Sequence, residues 1–410
     1  MQTRRRALVP LRIRSSSFYR AAAFGLLAAS LVSCSSSITS NILLRSALQK
    51  DLTDYLTARS SLEHISTISM TVSFGDRQQD ISVAAGTTRY GGGAAVTPAS
   101  LFQIGSNTKA FTSVAILQLE AAGVLSIGDA LGKWLPQYPA WSQVTIRQLL
   151  NMTSGIPSYD SAPAFESDYS NNPLAEFTPA QLVAYVYPAI QTPGGAFVYS
   201  NTNYILAQMI VDEASSSQSY QTEVQRIIRQ TGLNSTYYEP DFYPQFVTRR
   251  LVSGYAVNTD LPGLSKLYGQ DVSGFSLGLA QGAGGMISTP DDLTTWTRAL
   301  FEEDVLPPKQ LQELKSLVAI PSGQPIAQTS ASQPQAFGLG VFQINDPKLG
   351  LYWAYQGTTL GYRATYMYFP NSELIVTYFT NSDTSAALNQ ISAQLFPAVY
   401  ATLQAAGAIQ

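Results

Sequence analysis

Residues 101–122 read "LFQIGSNTKAFTSVAILQLEAA". Ala110, Phe111, Val114, Ala115, Ile116, Leu117 and Leu119 make the second half apolar almost all round, the pattern of a buried helix rather than a surface one. The spacing predicts a helix from Asn107 to about Ala122, with Ser106 at its head. Lys109 is the odd member. A serine N-cap works best with Glu or Gln at the third helical position, and a cation near a helix N-terminus opposes the dipole. Ser106 and Lys109 stand one turn apart, so their side chains share a face. A local rule broken inside an otherwise consistent stretch points to a functional site.

A serine hydroxyl is a poor nucleophile until a base takes its proton. The chain has one histidine, His64, in "LEHIS" between an expected helix and an expected strand, where it reads as a loop histidine. A Ser-His-Asp arrangement would have no other base. With one histidine and one cysteine, neither a metal site nor a cofactor is expected. Burial and the positive end of a helix both loosen a lysine's hold on its proton, and both bear on Lys109. The same helix start offers backbone N–H groups to a developing oxyanion. Ser-x-x-Lys alone is a common tetrapeptide, and its bland reading is a helix start with a snorkelling lysine.

Outside this stretch, Leu44, Leu48, Leu52, Tyr55 and Leu56 recur at helical spacing and predict an amphipathic helix over 41–58. "ISMTVSF" (68–74) alternates as a strand, followed by a turn at Gly75-Asp76 and a second strand, "DISVAAG". The stretch 123–270 reads as helical pieces joined by Pro-, Gly- and Tyr-rich loops. Thr178-Pro179 and Thr289-Pro290 read as helix starts, each a capping residue followed by proline at the first helical position. "QGAGGMI", before the second of these, suits a close backbone approach. Strands return in "FGLGVFQI", "LYWAYQG", "YRATYMYF" and "ELIVTYFTN". A last helix carries Leu388, Ile391, Leu395, Val399 and Leu403 on one stripe, with a kink expected at Pro397. Strands at both ends with helices between them give an α+β fold, an antiparallel sheet flanked by helices plus an inserted, mostly helical lobe. The sheet lobe is expected over about 41–104 and 272–410, and the helical lobe over about 105–271.

Several segments together resemble the serine β-lactamase/penicillin-binding protein superfamily, in its class C β-lactamase and DD-carboxypeptidase branch. They are "LFQIGSNTKAFTSVAILQLEAAGVLSIGDALGKWLP" (101–136), "TIRQLLNMTSGIPSY" (145–159), "PGGAFVYSNTNYILAQMI" (193–210), "AGGMISTPDDL" (283–293) and "FGLGVF" (337–342). The resemblance covers roughly residues 60–400 and implies a β-lactamase/transpeptidase-like fold. It implies Ser106 as the acylated nucleophile, Lys109 and Tyr199 sharing its proton, and Asn201, from Tyr199-Ser200-Asn201, bonding the substrate amide. The family's third motif usually carries a basic residue. Here Tyr355-Gln356-Gly357-Thr358 stands in register, so Tyr355, Gln356, Gly357 and Thr358 are expected to line the substrate site without that charge. Thr358 can still offer its N–H beside that of Ser106 and a hydroxyl besides, and Arg363 on the next strand could restore a positive charge. An uncharged site suits an ester or amide lacking the usual carboxylate.

The first 34 residues read as an address. Six arginines are its only charges, the apolar run "AAAFGLLAASLV" follows, and "LVSC" resembles a bacterial lipobox ending at Cys34. Residues 1–33 are expected to be a lipoprotein signal peptide, Cys34 a lipidation site, 34–40 a polar tether and 41–410 the hydrolase domain. Without residues 1–33 the chain carries 18 basic against 27 acidic residues, a balance of −9 that argues against nucleic acid as a partner. The expected partners are a membrane, through the lipid, and a small acyl substrate: a cell-wall peptide, a β-lactam or an ester. Three readings follow. The first is an envelope-anchored serine hydrolase of the carboxypeptidase or β-lactamase kind, facing the periplasm or exterior. The second is an esterase of the same family, and the third a non-catalytic lipoprotein that binds a cell-wall peptide or a protein.

Overall fold

The computed structural model describes residues 20–75, 79–191, 195–302 and 304–409, with side chains from residue 41 onward. Residues 1–19 and the Cys34 side chain lie outside that description. The first helix, α1 (Arg20–Glu63), takes in the backbone of 34–40 as well as the expected 41–58. Leu48 and Leu52 on α1 are fully buried, and Leu44 and Tyr55 nearly so.

The strands follow in three groups. β1 (Thr67–Ser73), β2 (Ile81–Arg89) and β3 (Gly92–Ala95) come first. Next are three short strands, β4 (Phe102–Gln103), β5 (Tyr237–Tyr238) and β6 (Met286–Ser288), which make a small sheet of their own. The last group is β7 (Leu317–Ala319), β8 (Pro325–Ile326), β9 (Gln335–Phe337), β10 (Phe342–Asp346), β11 (Gly350–Thr359), β12 (Tyr362–Phe369) and β13 (Leu374–Thr380). The outer groups combine in one antiparallel sheet, in the order β3-β2-β1-β13-β12-β11-β10-β9-β7-β8. β1 and β13, third and fourth in that order, pair with Met70 opposite Tyr378.

Both faces of this sheet are covered, and alternation along the strands serves two cores. Ile68, Met70 and Val72 face α1 and the C-terminal helix, where they join Leu48, Leu52, Ile391, Phe396 and Val399. Trp353 and Tyr355 on β11 face the other way, into the larger core built on the helices of 108–314. The central helix there is α2 (Thr108–Ala121), buried from Thr108 to Leu117 as its composition requires.

Three local expectations change. Ser106 does not cap α2; it lies in a 3₁₀ turn, Gly105–Asn107, just before it, so its hydroxyl is free of capping duty. "FGLGVFQI" is two strands, because Gly338 N bonds Val341 O in a turn between β9 and β10. Pro397 does not kink the last helix but opens it: a π-turn, Ile391–Leu395, precedes the helix Phe396–Ala405. The two proline-led helix starts stand as read, Thr178 accepting from Gln181 N and Thr289 from Asp292 N.

Truncating Leu52 to Ala should lower unfolding free energy by about 2–5 kcal/mol in denaturant titrations. Leu43→Ala, on the exposed side of α1, should shift it by less than about 0.5 kcal/mol. Equal effects would mean that α1 does not pack as described.

Candidate active site

The Ser106-Lys109 pair sits where β11 closes onto the 3₁₀ turn. Gly105 has φ +50°, and a Cβ there would lie 2.7 Å from Thr358 N. A Cβ on Gly357 would fall 1.9 Å from Ile104 O and 2.8 Å from Ser106 N. Only glycine at both places lets the two backbones touch. That contact sets the peptide groups of Ser106 and Thr358 side by side at the edge of a cleft of about 270 Å³ that both residues line.

Lys109 is completely buried. Its Nζ lies 3.0 Å from Ser106 Oγ, 2.6 Å from Asn201 Oδ1 and 2.7 Å from the Ala283 carbonyl. Among the described residues it makes no ion pair. The Asn201 amide has its orientation fixed from behind, since its Nδ2 donates to Asp160 Oδ2 at 2.7 Å. Its oxygen therefore faces Lys109. Two N–H bonds of the amine are taken by Asn201 and Ala283, which can only accept. The remaining position of the nitrogen points at Ser106, Nζ donating to Oγ. The glycine-rich segment read as a close approach is what brings Ala283 there, as part of the short helix Gln281–Gly284.

Tyr199 reaches the same serine from the solvent side, its hydroxyl donating to Ser106 Oγ at 2.9 Å. Tyr355 lies 3.0 Å from the Tyr199 oxygen. Tyr199 has one proton and gives it to Ser106, so Tyr355 is the donor between the two tyrosines. Burial, then proximity to Tyr199, push the Tyr355 hydroxyl well above its ordinary range, so it stays neutral. The chain Tyr355→Tyr199→Ser106 thus runs in one direction, and Lys109 Nζ donates to the same serine oxygen.

Ser106, Lys109, Tyr199 and Asn201 converge, and Gly357 and Thr358 border them. Tyr355 is present too, but bonded to Tyr199 and packed edge-on against Phe342 rather than lining the cleft. Gln356 turns to the opposite face of β11, where it borders a hollow with Ile344, Met367 and Phe396. Its side chain is not among those that line the cleft beside Ser106. Arg363 also faces away: it is buried, pairs with Glu63 at 3.0 Å and donates to Ser382 O. It restores no charge to the site. His64 stacks on Tyr90 at 4.0 Å, outside the cluster, as a loop histidine would.

A model of the Beta-lactamase family matches residues 62–395. The chain belongs to that family. It is similar to penicillin-binding protein 4* of Bacillus subtilis, 26% identical over 295 residues, or 71% of this chain and 63% of that protein. It is also similar to protein flp of Staphylococcus aureus, 38% identical over 129 residues, 30% of this chain and 25% of that one. The chain thus spans less than two thirds of the length of these relatives. Among solved structures, a D-stereospecific amidohydrolase from Streptomyces sp. superposes with a TM-score of 0.70 at 26% identity, covering 87% of this chain and 98% of its own. The D-amino acid amidase of Ochrobactrum anthropi SV3 shares the fold, with a TM-score of 0.72 at 20% identity, covering 88% and 99%.

In this β-lactamase-family chain two contributors had escaped the sequence reading. Asp160 orients Asn201, and Ser158 accepts from Asn201 N at 2.8 Å while donating to Asp160. Both stand in "PSYD", at the end of a matched segment; an amide that must present its oxygen to a lysine needs an acceptor behind it, which was the available signal.

Tyr355→Phe removes the donor to Tyr199. The rate of Ser106 modification by a fluorophosphonate should fall about three- to tenfold, the worth of one neutral hydrogen bond. Tyr366→Phe, at a buried tyrosine whose hydroxyl has no partner among the described residues, should leave that rate unchanged.

Proposed function

We propose that the protein is a serine hydrolase that cleaves an amide or ester through an acyl-enzyme on Ser106. The observation that carries this reading is the buried Lys109 amine at 3.0 Å from Ser106 Oγ, held by acceptors that bear no charge. A binding protein has no use for an unpaired amine buried beside a hydroxyl, because desolvating it is costly.

Ser106 Oγ bonds to the substrate carbonyl carbon as its proton passes to Lys109 Nζ. The carbonyl oxygen takes up negative charge beside the N–H groups of Ser106 and Thr358. When the carbonyl re-forms, the bond to the leaving nitrogen or oxygen breaks, and that atom takes the Tyr199 proton. The proton on Lys109 then replenishes Tyr199. Water attacks the resulting ester, gives up a proton to the same pair, and Ser106 leaves with one, freeing a carboxylic acid. Tyr355, a neutral donor, supports the phenolate of Tyr199 while that proton is away.

The identity of the third-motif residue favours an ester or amide without a carboxylate beside the leaving group over a β-lactam or a D-Ala-D-Ala peptide. Tyr355 and Arg363 both leave the cleft without a cation. The amidohydrolase superposition is in keeping with this. A fluorophosphonate should add to Ser106 in intact mass spectra, not at all in Ser106→Ala, and about 10²- to 10⁴-fold more slowly in Lys109→Ala. Penicillin should leave no lasting adduct. Folded wild-type protein with no mass gain from the fluorophosphonate overturns the catalytic reading; a stable penicillin adduct returns the chain to the carboxypeptidase type.

The proposal includes location. The arginine-led apolar run ending in "LVSC" supports a lipid on Cys34 and an envelope-anchored enzyme. Among the described residues no helix is long and apolar enough to cross a membrane. In a bacterial host, labelled fatty acid should enter the wild type and not Cys34→Ala, which should leave the membrane fraction; equal labelling of both defeats the anchor.

A further inference from the structure

Lys109 gives two of its N–H bonds to Asn201 and to the Ala283 carbonyl. The first acceptor stands on the opening turn of the helix Asn201–Ala214. The second lies in the four-residue helical turn Gln281–Gly284, which is too short to hold its own shape. That turn also begins in a costly conformation. Gln281 has φ +42°, in the left-handed region that residues other than glycine seldom enter. Something outside the turn must hold it.

The helix that carries Asn201 carries Gln208 on the same side, two turns on. Gln208 and Gln281 are both buried. Gln208 Oε1 accepts from Gly282 N at 2.6 Å, and its Nε2 donates to Gln281 Oε1 at 3.2 Å. Gln281 Nε2 donates in turn to the Phe177 carbonyl at 2.8 Å. The Gly282 carbonyl accepts from the Thr112 hydroxyl at 2.7 Å, one turn beyond Lys109 on α2. Gly282 is thus held at its N–H and at its C=O, and the next carbonyl along the chain is the one that Lys109 uses. A Cβ added to Gly282 would fall 2.9 Å from Gln208 Oε1 and 3.2 Å from the Tyr220 ring, so only glycine permits the approach. Neither glutamine lines the cleft.

We propose that Gln208 is a positioning residue for the Ser106 chemistry. Through Gly282 it fixes the Ala283 carbonyl, and through that carbonyl it fixes the aim of Lys109 at Ser106. One helix thereby sets both uncharged acceptors of the amine, Asn201 directly and Ala283 at one remove. This rests on the Ser106 hydrolase reading and adds to it a residue outside the cleft. Gln281 is the second member of the device: its side chain ties the strained turn to Gln208 on one side and to Phe177 on the other.

The test measures labelling of Ser106 by a fluorophosphonate in the full chain. In Gln208→Leu the saturating labelling rate should fall about 5- to 30-fold, the worth of one buried hydrogen bond left unmade. The reagent concentration that gives half that rate should stay within about twofold, since a residue outside the cleft does not bind the reagent. In a Lys109→Ala background the same substitution should change the residual rate by less than about twofold, because no amine is left to aim. A merely structural loosening would cut both backgrounds alike. Gln281→Gly is the second variant. Glycine accepts φ +42° without strain, so the chain stays folded while Gln208 loses its side-chain partner. Its labelling rate should fall at least about threefold, again only where Lys109 is present. Wild-type rates in folded Gln208→Leu or Gln281→Gly, equal losses in the two backgrounds, or a change confined to the half-saturating concentration overturn the positioning role and leave the hydrolase standing. Should Gln208→Leu not fold, Gln281→Gly decides by the same comparison. Failure of the wild type to label overturns the hydrolase itself.

Discussion

Everything at this site depends on an amine that has been taken out of water and, among the described residues, given no counter-ion. Lys109 is fully enclosed, and what surrounds its nitrogen is a carbonyl, an amide oxygen and a hydroxyl. A carboxylate in any of those positions would pair with it as a salt bridge. Three separate segments supply groups without charge there instead. Helix Asn201–Ala214 contributes an amide where an acid would fit, the segment at 281–284 contributes a peptide carbonyl, and the 3₁₀ turn frees the serine from capping. Asp160 is kept a residue away, acting on Asn201 rather than on the lysine.

The β-lactamase-family framework usually completes this arrangement with a cation on the strand that lines the site. Here a tyrosine fills the place and makes a hydrogen bond instead. The exchange alters more than proton transfer. It removes the positive charge that would attract an anionic substrate, and none of the described residues lining the cleft supplies it; Arg363 is paired with Glu63 behind the sheet. With Asp160, Glu166 and Asp383 lining the cleft, the electrostatic sign of the site is set by several positions that agree with one another.

Much of this was legible in the residues. The all-round apolar helix with a lysine at its head, the two proline-led helix starts, and the alternation of Ile68, Met70 and Val72 each express a local rule that the folded chain obeys. What the sequence could not convey was direction. Tyr355, Gln356 and Arg363 sit close together on paired strands, yet one reaches Tyr199 and two face the other side of the sheet; one-residue register decides this, and only the pairing of β11 with β12 fixes it. The role of Asp160 was hidden for a related reason, since it acts through an amide 41 positions away. The split of "FGLGVFQI" shows the limit of periodicity, because glycines that break a strand and glycines that merely sit in one look alike until the turn is seen.

The order of strands has a further consequence, for how the protein comes into being. β1 lies beside β13, and the serine turn closes against β11, so the earliest and latest parts of the chain must meet before any reactive centre exists. Ser106 and Lys109 are made long before the strand that closes on them. Chains cut short ahead of β13 would expose two bare strand edges inside the sheet, a template for association with other copies. Completion of the site is thereby tied to completion of the polypeptide: Tyr355 and Thr358 reach the serine turn only with the last strands to arrive.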